Sequence, residues 1–283
     1  MNSKQTADVK RLQKTAVQVR KNIVRMVRAG KQGHGGGALS TADILTTLYF
    51  QVMRVRPEDP QWAERDRFVL SAGHKCLALY ATLAERGFFD KSILDTYGAM
   101  KSRLPGHPSM HKLPGVETNT GALGHGLAIA GGMAVGAKMD NADTRVYVVM
   151  GDGELAEGSN WEAAAACSMF KLDNLLVFVD RNGLQIGGRT VDIMSYEPLV
   201  ERWKSFGWSV REIDGHDFNQ ILDTTDSAPF ETGKPSVVIA NTVKSKGLSF
   251  AEGKVEYHYW KATAEELEQA ERELAEAERS LDA

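Results

Sequence analysis

The sequence predicts an α/β fold, a doubly wound and mostly parallel sheet with helices on both faces, and three observations carry that expectation. Val146-Tyr147-Val148-Val149-Met150 and Leu175-Leu176-Val177-Phe178-Val179 are near-continuous apolar runs, the pattern of strands buried on both faces. Between them lie the loop Gly151-Asp152-Gly153 and a helix-length stretch from Trp161 to Phe170, as a parallel βαβ crossover requires. Two later strand candidates, Trp208 to Ile213 and Ser236 to Val243, each follow a helix candidate and repeat the unit. One domain over residues 1–283 is expected, without repeats or low-complexity linkers.

The elements follow in order. Leu12, Ala16, Val19, Ile23 and Met26 recur at helical spacing among lysines and arginines, so an amphipathic helix over 7–29 is expected rather than a signal peptide. After the cluster Gly33-His34-Gly35-Gly36-Gly37, Ser40 and Asp43 are spaced to cap a helix running through Ile44, Leu48 and Tyr49. Pro57 and Pro60 stop it. Phe68-Val69-Leu70-Ser71 reads as a short strand, followed by Gly73-His74 and a helix through Leu77, Tyr80 and Leu83. Lys101 to Thr120 is a polar connection holding three prolines, and loops of that length inside a compact domain are usually functional or disordered. The end, Thr263 to Leu281, reads as a charged helix opened by a Thr263/Glu266 capping box and facing solvent or a partner.

With 34 basic and 37 acidic residues the net charge is −3, too little field to draw in nucleic acid or an anionic membrane. No apolar run approaches the roughly 20 residues that span a bilayer. Cys76 and Cys167 stand far apart, without the spacing of a metal knuckle or the density of a disulfide framework. A soluble cytoplasmic protein with two reduced thiols is the expectation.

Ligands of an open parallel sheet bind beyond the carboxyl ends of its strands. Asp152 and the Asp180-Arg181-Asn182-Gly183 turn both fall there. A hard carboxylate from Asp152 and a neutral carbonyl oxygen from Asn182 suit magnesium, which also takes oxygens from phosphates and water. Gly151 and Gly153 allow close approach of a diphosphate, with the next helix turning its amides toward the anion. Gly-Asp-Gly alone is usually a tight turn; the pairing of both ends one βαβ unit apart raises it above that. No Gly-x-Gly-x-x-Gly follows a strand, and no Walker lysine motif is present.

Gly151-Asp152-Gly153, Glu157-Gly158, Glu162-Ala163 and the strand ending in Asp180-Arg181-Asn182 together resemble the thiamine diphosphate signature. Gly33-His34-Gly35-Gly36, Ser71-Ala72-Gly73-His74, Gly106-His107-Pro108, Thr120-Gly121-Ala122-Leu123-Gly124 and Val255-Glu256-Tyr257-His258 are similar to transketolase motifs in transketolase order, from about residue 20 to about residue 275. The resemblance implies the thiamine diphosphate-binding fold. It implies thiamine diphosphate with Mg2+, or Ca2+ or Mn2+ in its place, held by Asp152, Asn182 and the carbonyl of Leu184. Gly151, Gly153 and His74 would contact the diphosphate, and Gly121, Ala122 and Leu123 would line the cofactor. His107 would bind the terminal hydroxyl of a ketose, His34 and His258 would sit by the oxygen that exchanges a proton, with His258 also against the cofactor, and Glu157 would join a carboxylate network between active sites.

The family's second domain supplies the glutamate that protonates the aminopyrimidine and most arginines that grip sugar phosphates. The resemblance therefore implies a split enzyme with a separate C-terminal, pyrimidine-binding subunit in an α2β2 heterotetramer. Its substrates would be pentose or hexose phosphates of the pentose phosphate type, or a modified sugar. A 2-oxo acid dehydrogenase alpha-like chain and a catalytically idle scaffold are the competing readings. His34, His74 and His107 argue against the first, and the intact motifs against the second. His111, His125 and His216 read as structural, and Lys244 and Lys246, which could face phosphate, read first as solvated loop lysines. His125, Ser109 and Tyr259-Trp260 depart from the family pattern, which bears on substrate preference.

Overall fold

The computed structural model describes residues 3–282, so residues 1, 2 and 283 of the expected domain lie outside it. Helix α1 (Ser3–Gly30) is followed by a short strand, β1 (Gln32–Gly33), and two short helices, α2 (Gly35–Ser40) and α3 (Ala42–Thr47). Strand β2 (Arg67–Leu70) leads into α4 (Cys76–Arg86), and then come α5 (Gly126–Met139), β3 (Val146–Gly151), α6 (Gly158–Met169) and β4 (Leu175–Arg181). The order continues through the β5 (Leu184–Gln185) and β6 (Gly188–Arg189) hairpin, α7 (Thr190–Ile193), α8 (Leu199–Ser205), β7 (Ser209–Asp214) and α9 (Phe218–Asp226). Strands β8 (Ser236–Asn241) and β9 (Trp260–Lys261) precede α10 (Ala264–Asp282).

The five longer strands form one sheet in the order β2-β3-β4-β8-β7, with every neighbouring pair parallel. Successive side chains of a strand point to opposite faces, and the core divides accordingly. Val146, Val148, Val177 and Val179 pack with Leu127 of α5, Ala164 of α6 and Trp203 of α8. Tyr147, Val149, Leu176 and Phe178 pack on the other face with residues of α1, α3 and α4. Both faces of β3 and β4 are thus covered, which is why each reads as an unbroken apolar run. The doubly wound expectation is borne out.

Helix α10 opens with the expected capping box: Thr263 Oγ1 accepts from the Glu266 amide at 3.2 Å, and Glu266 Oε2 accepts from the Thr263 amide at 3.0 Å. Its face is only partly solvated, since Leu267, Ala270 and Leu274 are buried in the core that α1 shares. The Ser40/Asp43 cap does not form. Ser40 is itself the last residue of α2, with α3 starting only at Ala42, so it is not placed to accept from a helix amide and instead donates to Asp180 at 2.7 Å. Asp43 instead binds Arg20, and α3 loosens into a π-turn over Leu48–Val52. Strand β8 ends at Asn241, two residues short of the expected end, because Thr242 turns toward Asp180. No helix among the described residues is long and apolar enough to cross a membrane.

Candidate active site

Segments leaving the carboxyl ends of β2, β3, β4 and β8 converge on one cleft of about 420 Å³, whose walls include His34, His74, His107, Asp152, Asn182 and His258. A larger, open depression of about 500 Å³ runs along α1 past Lys14, Gln18 and Glu278, and none of the candidate residues lines it. The topology accounts for the convergence. Each parallel strand delivers its following loop to the same edge.

At one end Asp152 is 7 % exposed, and its carboxylate accepts from the Gly153 amide at 2.9 Å and the Gly183 amide at 2.8 Å. Gly183 has φ +75°, which lets the turn fold back onto Asp152. Burial, then the neighbouring Asp180, push the Asp152 carboxyl up to about 6. A carboxylate so placed is short of positive charge, and a divalent cation fits that need. Asp180, fully buried at the end of β4, accepts from Ser40 at 2.7 Å, Lys75 at 2.5 Å and the Asn182 side-chain amide at 2.9 Å, and Thr242 donates to its other oxygen. Because a carboxylate only accepts, the Asn182 NH2 must face Asp180. The Asn182 carbonyl oxygen accepts from the Leu184 amide at 3.2 Å and keeps a second lone pair for a ligand. The Leu184 carbonyl accepts from Lys244 Nζ at 3.0 Å.

Lys244 is 2 % exposed and forms part of the cleft wall. The expectation of a solvated loop lysine is therefore wrong for it, because the end of β8 aims the chain inward. Burial, then the nearby Lys75, lower its ammonium to about 8, which an anionic ligand would reverse. Lys75 is likewise buried on the cleft floor. Lys75 and Glu154 are what motif reading missed, whereas for Lys244 the sequence leaves a phosphate-facing alternative open. The signal was a lysine directly after His74 and a glutamate three positions after Gly151. Glu154 Oε1 accepts from the Gly124 amide at 3.0 Å and Oε2 from the Gly151 amide at 3.0 Å, while Ser71 donates to Oε1. The Gly151 amide is thus already used, so this glycine shapes the turn and does not present an N–H to a diphosphate. A 3₁₀ turn at Gly153–Ala156 separates it from α6, whose expected start at Trp161 moves back to Gly158.

Close backbone approach sets the third wall. A Cβ on Gly73 would lie 1.9 Å from the Thr120 carbonyl oxygen, so only glycine lets the 120–124 turn pack against His74. Gly121 faces open space and Leu123 lines the cleft, whereas Ala122 is exposed and stands outside its lining. Tyr80 donates to the Pro105 carbonyl at 2.8 Å and Cys76 Sγ to the Gly106 carbonyl at 3.2 Å, fixing the connection that carries His107 to the cleft mouth. His111 and His125 are exposed and do not line it. Glu157 is exposed on the rim.

The imidazoles gather at the other end. Ring centroids of His34 and His74 are 5.2 Å apart, His34 and His258 5.6 Å, and His74 and His258 5.5 Å. Tyr259 stands edge-on to His34 at 4.7 Å. Burial is the first cause lowering all three imidazoles, with nearby lysines and histidines adding to it, to about 4 for His34, about 2 for His74 and about 3 for His258. At neutral pH they are uncharged and able to accept a proton. His258 Nδ1 and Thr120 Oγ1 are buried without a hydrogen-bond partner among the described residues. Both belong to the cleft wall, and a polar ligand there satisfies them.

These shifts make a stability prediction. A histidine held below its unfolded value of about 6.5 binds its proton more readily in the unfolded chain. Stability is therefore present above that value and lost as pH falls from it toward the folded values of about 4 for His34, about 3 for His258 and about 2 for His74. The melting temperature is expected to drop between pH 7 and pH 5, and His74→Gln should flatten that slope. An equal slope in the variant would rule His74 out as a source.

A parallel sheet whose carboxyl edge joins an acidic and amide oxygen pair, buried lysines and neutral imidazoles defines a cofactor-diphosphate-binding α/β domain. The chain belongs to the transketolase family: residues 12–280 match the family described as transketolase, thiamine diphosphate binding domain. It is 49 % identical over 257 residues to a subunit of the apulose-4-phosphate transketolase of Phocaeicola vulgatus, covering 91 % of each chain. It is 43 % identical over 263 residues to a 6-deoxy-6-sulfo-D-fructose transketolase subunit of a Clostridium species, covering 93 % of this chain and 96 % of that one. The transketolase of Campylobacter jejuni superposes with a TM-score of 0.87 at 33 % identity, over 97 % of this chain and 43 % of that one. The chain thus spans less than half of that solved transketolase and nearly all of the relatives named as subunits. The family resemblance carried by the motifs is borne out, and the 2-oxo acid dehydrogenase alternative is not favoured.

Proposed function

We propose that the chain is the thiamine diphosphate-binding subunit of a split transketolase, which with a second, pyrimidine-binding subunit moves a two-carbon ketol unit from a ketose phosphate to an aldose phosphate. The observation that carries this reading is the single cleft with an anion and cation end at Asp152, Asn182 and Lys244 and a neutral imidazole end at His34, His74 and His258. Asp152, the Asn182 side-chain oxygen and the Leu184 carbonyl would hold Mg2+, or Ca2+ or Mn2+ in its place. Lys244 and His74 would hold the diphosphate beside Gly153, whose own amide is held by Asp152, and Gly121 with Leu123 the body of the cofactor. Bound thiamine diphosphate supplies the electron sink for carbon–carbon bond cleavage.

The chain's own residues then handle protons and position. His34 and His258, uncharged in the closed cleft, take the hydroxyl proton of the donor and return it to the acceptor. His107, at the mouth, binds the terminal hydroxyl, and Glu157 on the rim faces the neighbouring active site. An α2β2 assembly in the cytoplasm fits the subunit names of the relatives and the lack of a spanning helix among the described residues. Those names favour a modified sugar, phosphorylated or sulfonated, over the ordinary pentose phosphate intermediates.

The test of the reaction is a coupled transfer assay on the two-subunit complex, offering branched, sulfonated and ordinary ketose donors. Transfer from at least one is expected, and none from any would overturn the reading. For the cation end, Asp152→Ala is expected to weaken thiamine diphosphate binding in Mg2+ by more than the roughly 10- to 100-fold typical of losing an outer-sphere partner. Calorimetry showing parental affinity would remove Asp152 from the site.

A further inference from the structure

Every residue from Thr242 to Lys246 is tied to a different part of the fold. Thr242 donates to Asp180, the Val243 amide donates to His216 Nε2 at 2.8 Å, and Lys244 Nζ reaches the Leu184 carbonyl at 3.0 Å. The Ser245 amide donates to the Gly36 carbonyl at 2.9 Å, and the Lys246 carbonyl accepts from Arg20 Nε at 3.0 Å. Ser245 is buried at φ +65°, in the left-handed region that disfavours a side chain. Backbone held there persists only where its surroundings over-determine it. Lys244 is the residue this segment presents to the cleft.

The ties lead back to three side chains outside the cleft wall. Because the Val243 N–H donates to Nε2, the proton of neutral His216 is on Nδ1. Nδ1 lies 2.8 Å from Asp43 Oδ2. The Asp43 carboxylate also takes both terminal nitrogens of Arg20 at 2.7 Å. Burial would raise the Asp43 carboxyl, but Arg20 and His216 hold it at about 2. Arg20 comes from α1, Asp43 from α3 and His216 from the loop between β7 and α9, so three elements converge on one segment.

We infer that Arg20, Asp43 and His216 form a positioning relay for Lys244: Arg20 and Asp43 fix the ring and tautomer of His216, and His216 holds the Val243 amide so that the next side chain points at the diphosphate end of the cleft. This rests on the proposed cofactor site. His216 is then a positioning residue for cofactor binding, beyond the structural role its lone occurrence in the sequence suggests.

The test is calorimetric titration of thiamine diphosphate with Mg2+ into the two-subunit complex carrying wild-type chain, Lys244→Met, His216→Ala, the double variant or His216→Gln. A charge-assisted hydrogen bond of about 1.5–3 kcal/mol converts to about 10- to 150-fold in affinity, the loss expected for Lys244→Met. His216→Ala is expected to lose about tenfold in the Lys244 background and nothing further in the Lys244→Met background, because coupled residues are non-additive. His216→Gln should recover most of the affinity, since its carbonyl can accept from Val243 while its NH2 donates to Asp43. If His216→Ala does not fold, His216→Leu fills a similar volume without the acceptor and takes its place in the cycle. Equal losses from His216→Ala with and without Lys244 would overturn the relay alone. Parental affinity in Lys244→Met would overturn it together with the assignment of Lys244 to the diphosphate.

Discussion

Assayed by itself, the chain is expected to transfer no two-carbon unit from any ketose phosphate, and activity is expected to appear when a pyrimidine-domain subunit is added. Activating thiamine diphosphate requires a carboxylic acid at the aminopyrimidine nitrogen. Among the described residues lining the cleft, the carboxylates are Asp152, Glu154 and Glu157. Asp152 is assigned to the proposed cation end. Glu154 is saturated by Ser71 and the Gly124 and Gly151 amides. Glu157 stands exposed on the rim. Close by, Ile186 is 75 % exposed and Met194 54 % exposed, apolar surface suited to being covered. The measurement is a coupled transfer assay on each chain separately and on the mixture, with light scattering to count chains. Full activity from this chain alone would sink the split-enzyme reading, and a mixture of two chains instead of four would sink the α2β2 stoichiometry.

How much of this was legible depended on whether a residue's role is local. Strands β3 and β4 showed themselves because burial on both faces leaves no polar position to break the apolar run, and the α10 cap because both partners lie within three residues. Asp152, Asn182 and the histidines were found through short motifs that keep their spacing. The Ser40 and Asp43 roles were not, since their partners, Asp180 and Arg20, lie elsewhere in the chain. Lys244 reads first as solvated for the same reason. Nothing near it in the sequence says that the preceding strand ends early and turns inward. Glu154 was overlooked because two of its three partners, the Gly124 amide and the Ser71 hydroxyl, lie far from it in the chain and only the Gly151 amide is local.

His107→Ala is expected to lower ketol transfer by about 10²- to 10⁴-fold, the range for removing one positioned hydrogen-bonding or proton-transferring group, with cofactor affinity unchanged. The side chain is exposed at the cleft mouth, so its removal opens no cavity in the core. Its backbone neighbours stay anchored through the Tyr80 and Cys76 contacts to Pro105 and Gly106, which the substitution does not touch. On the proposed assignment, in which the donor meets His107 and the charged groups of thiamine diphosphate sit at Asp152, Asn182 and Lys244, the loss should fall on the donor and spare the cofactor. An interaction strengthened only in the transition state would lower kcat and kcat/KM together, and one that merely holds the ketose would raise KM. Steady-state kinetics of the two-subunit complex at saturating cofactor separate these cases. Parental turnover with an unaltered KM would make His107 a structural residue and remove the 101–120 connection from the substrate wall.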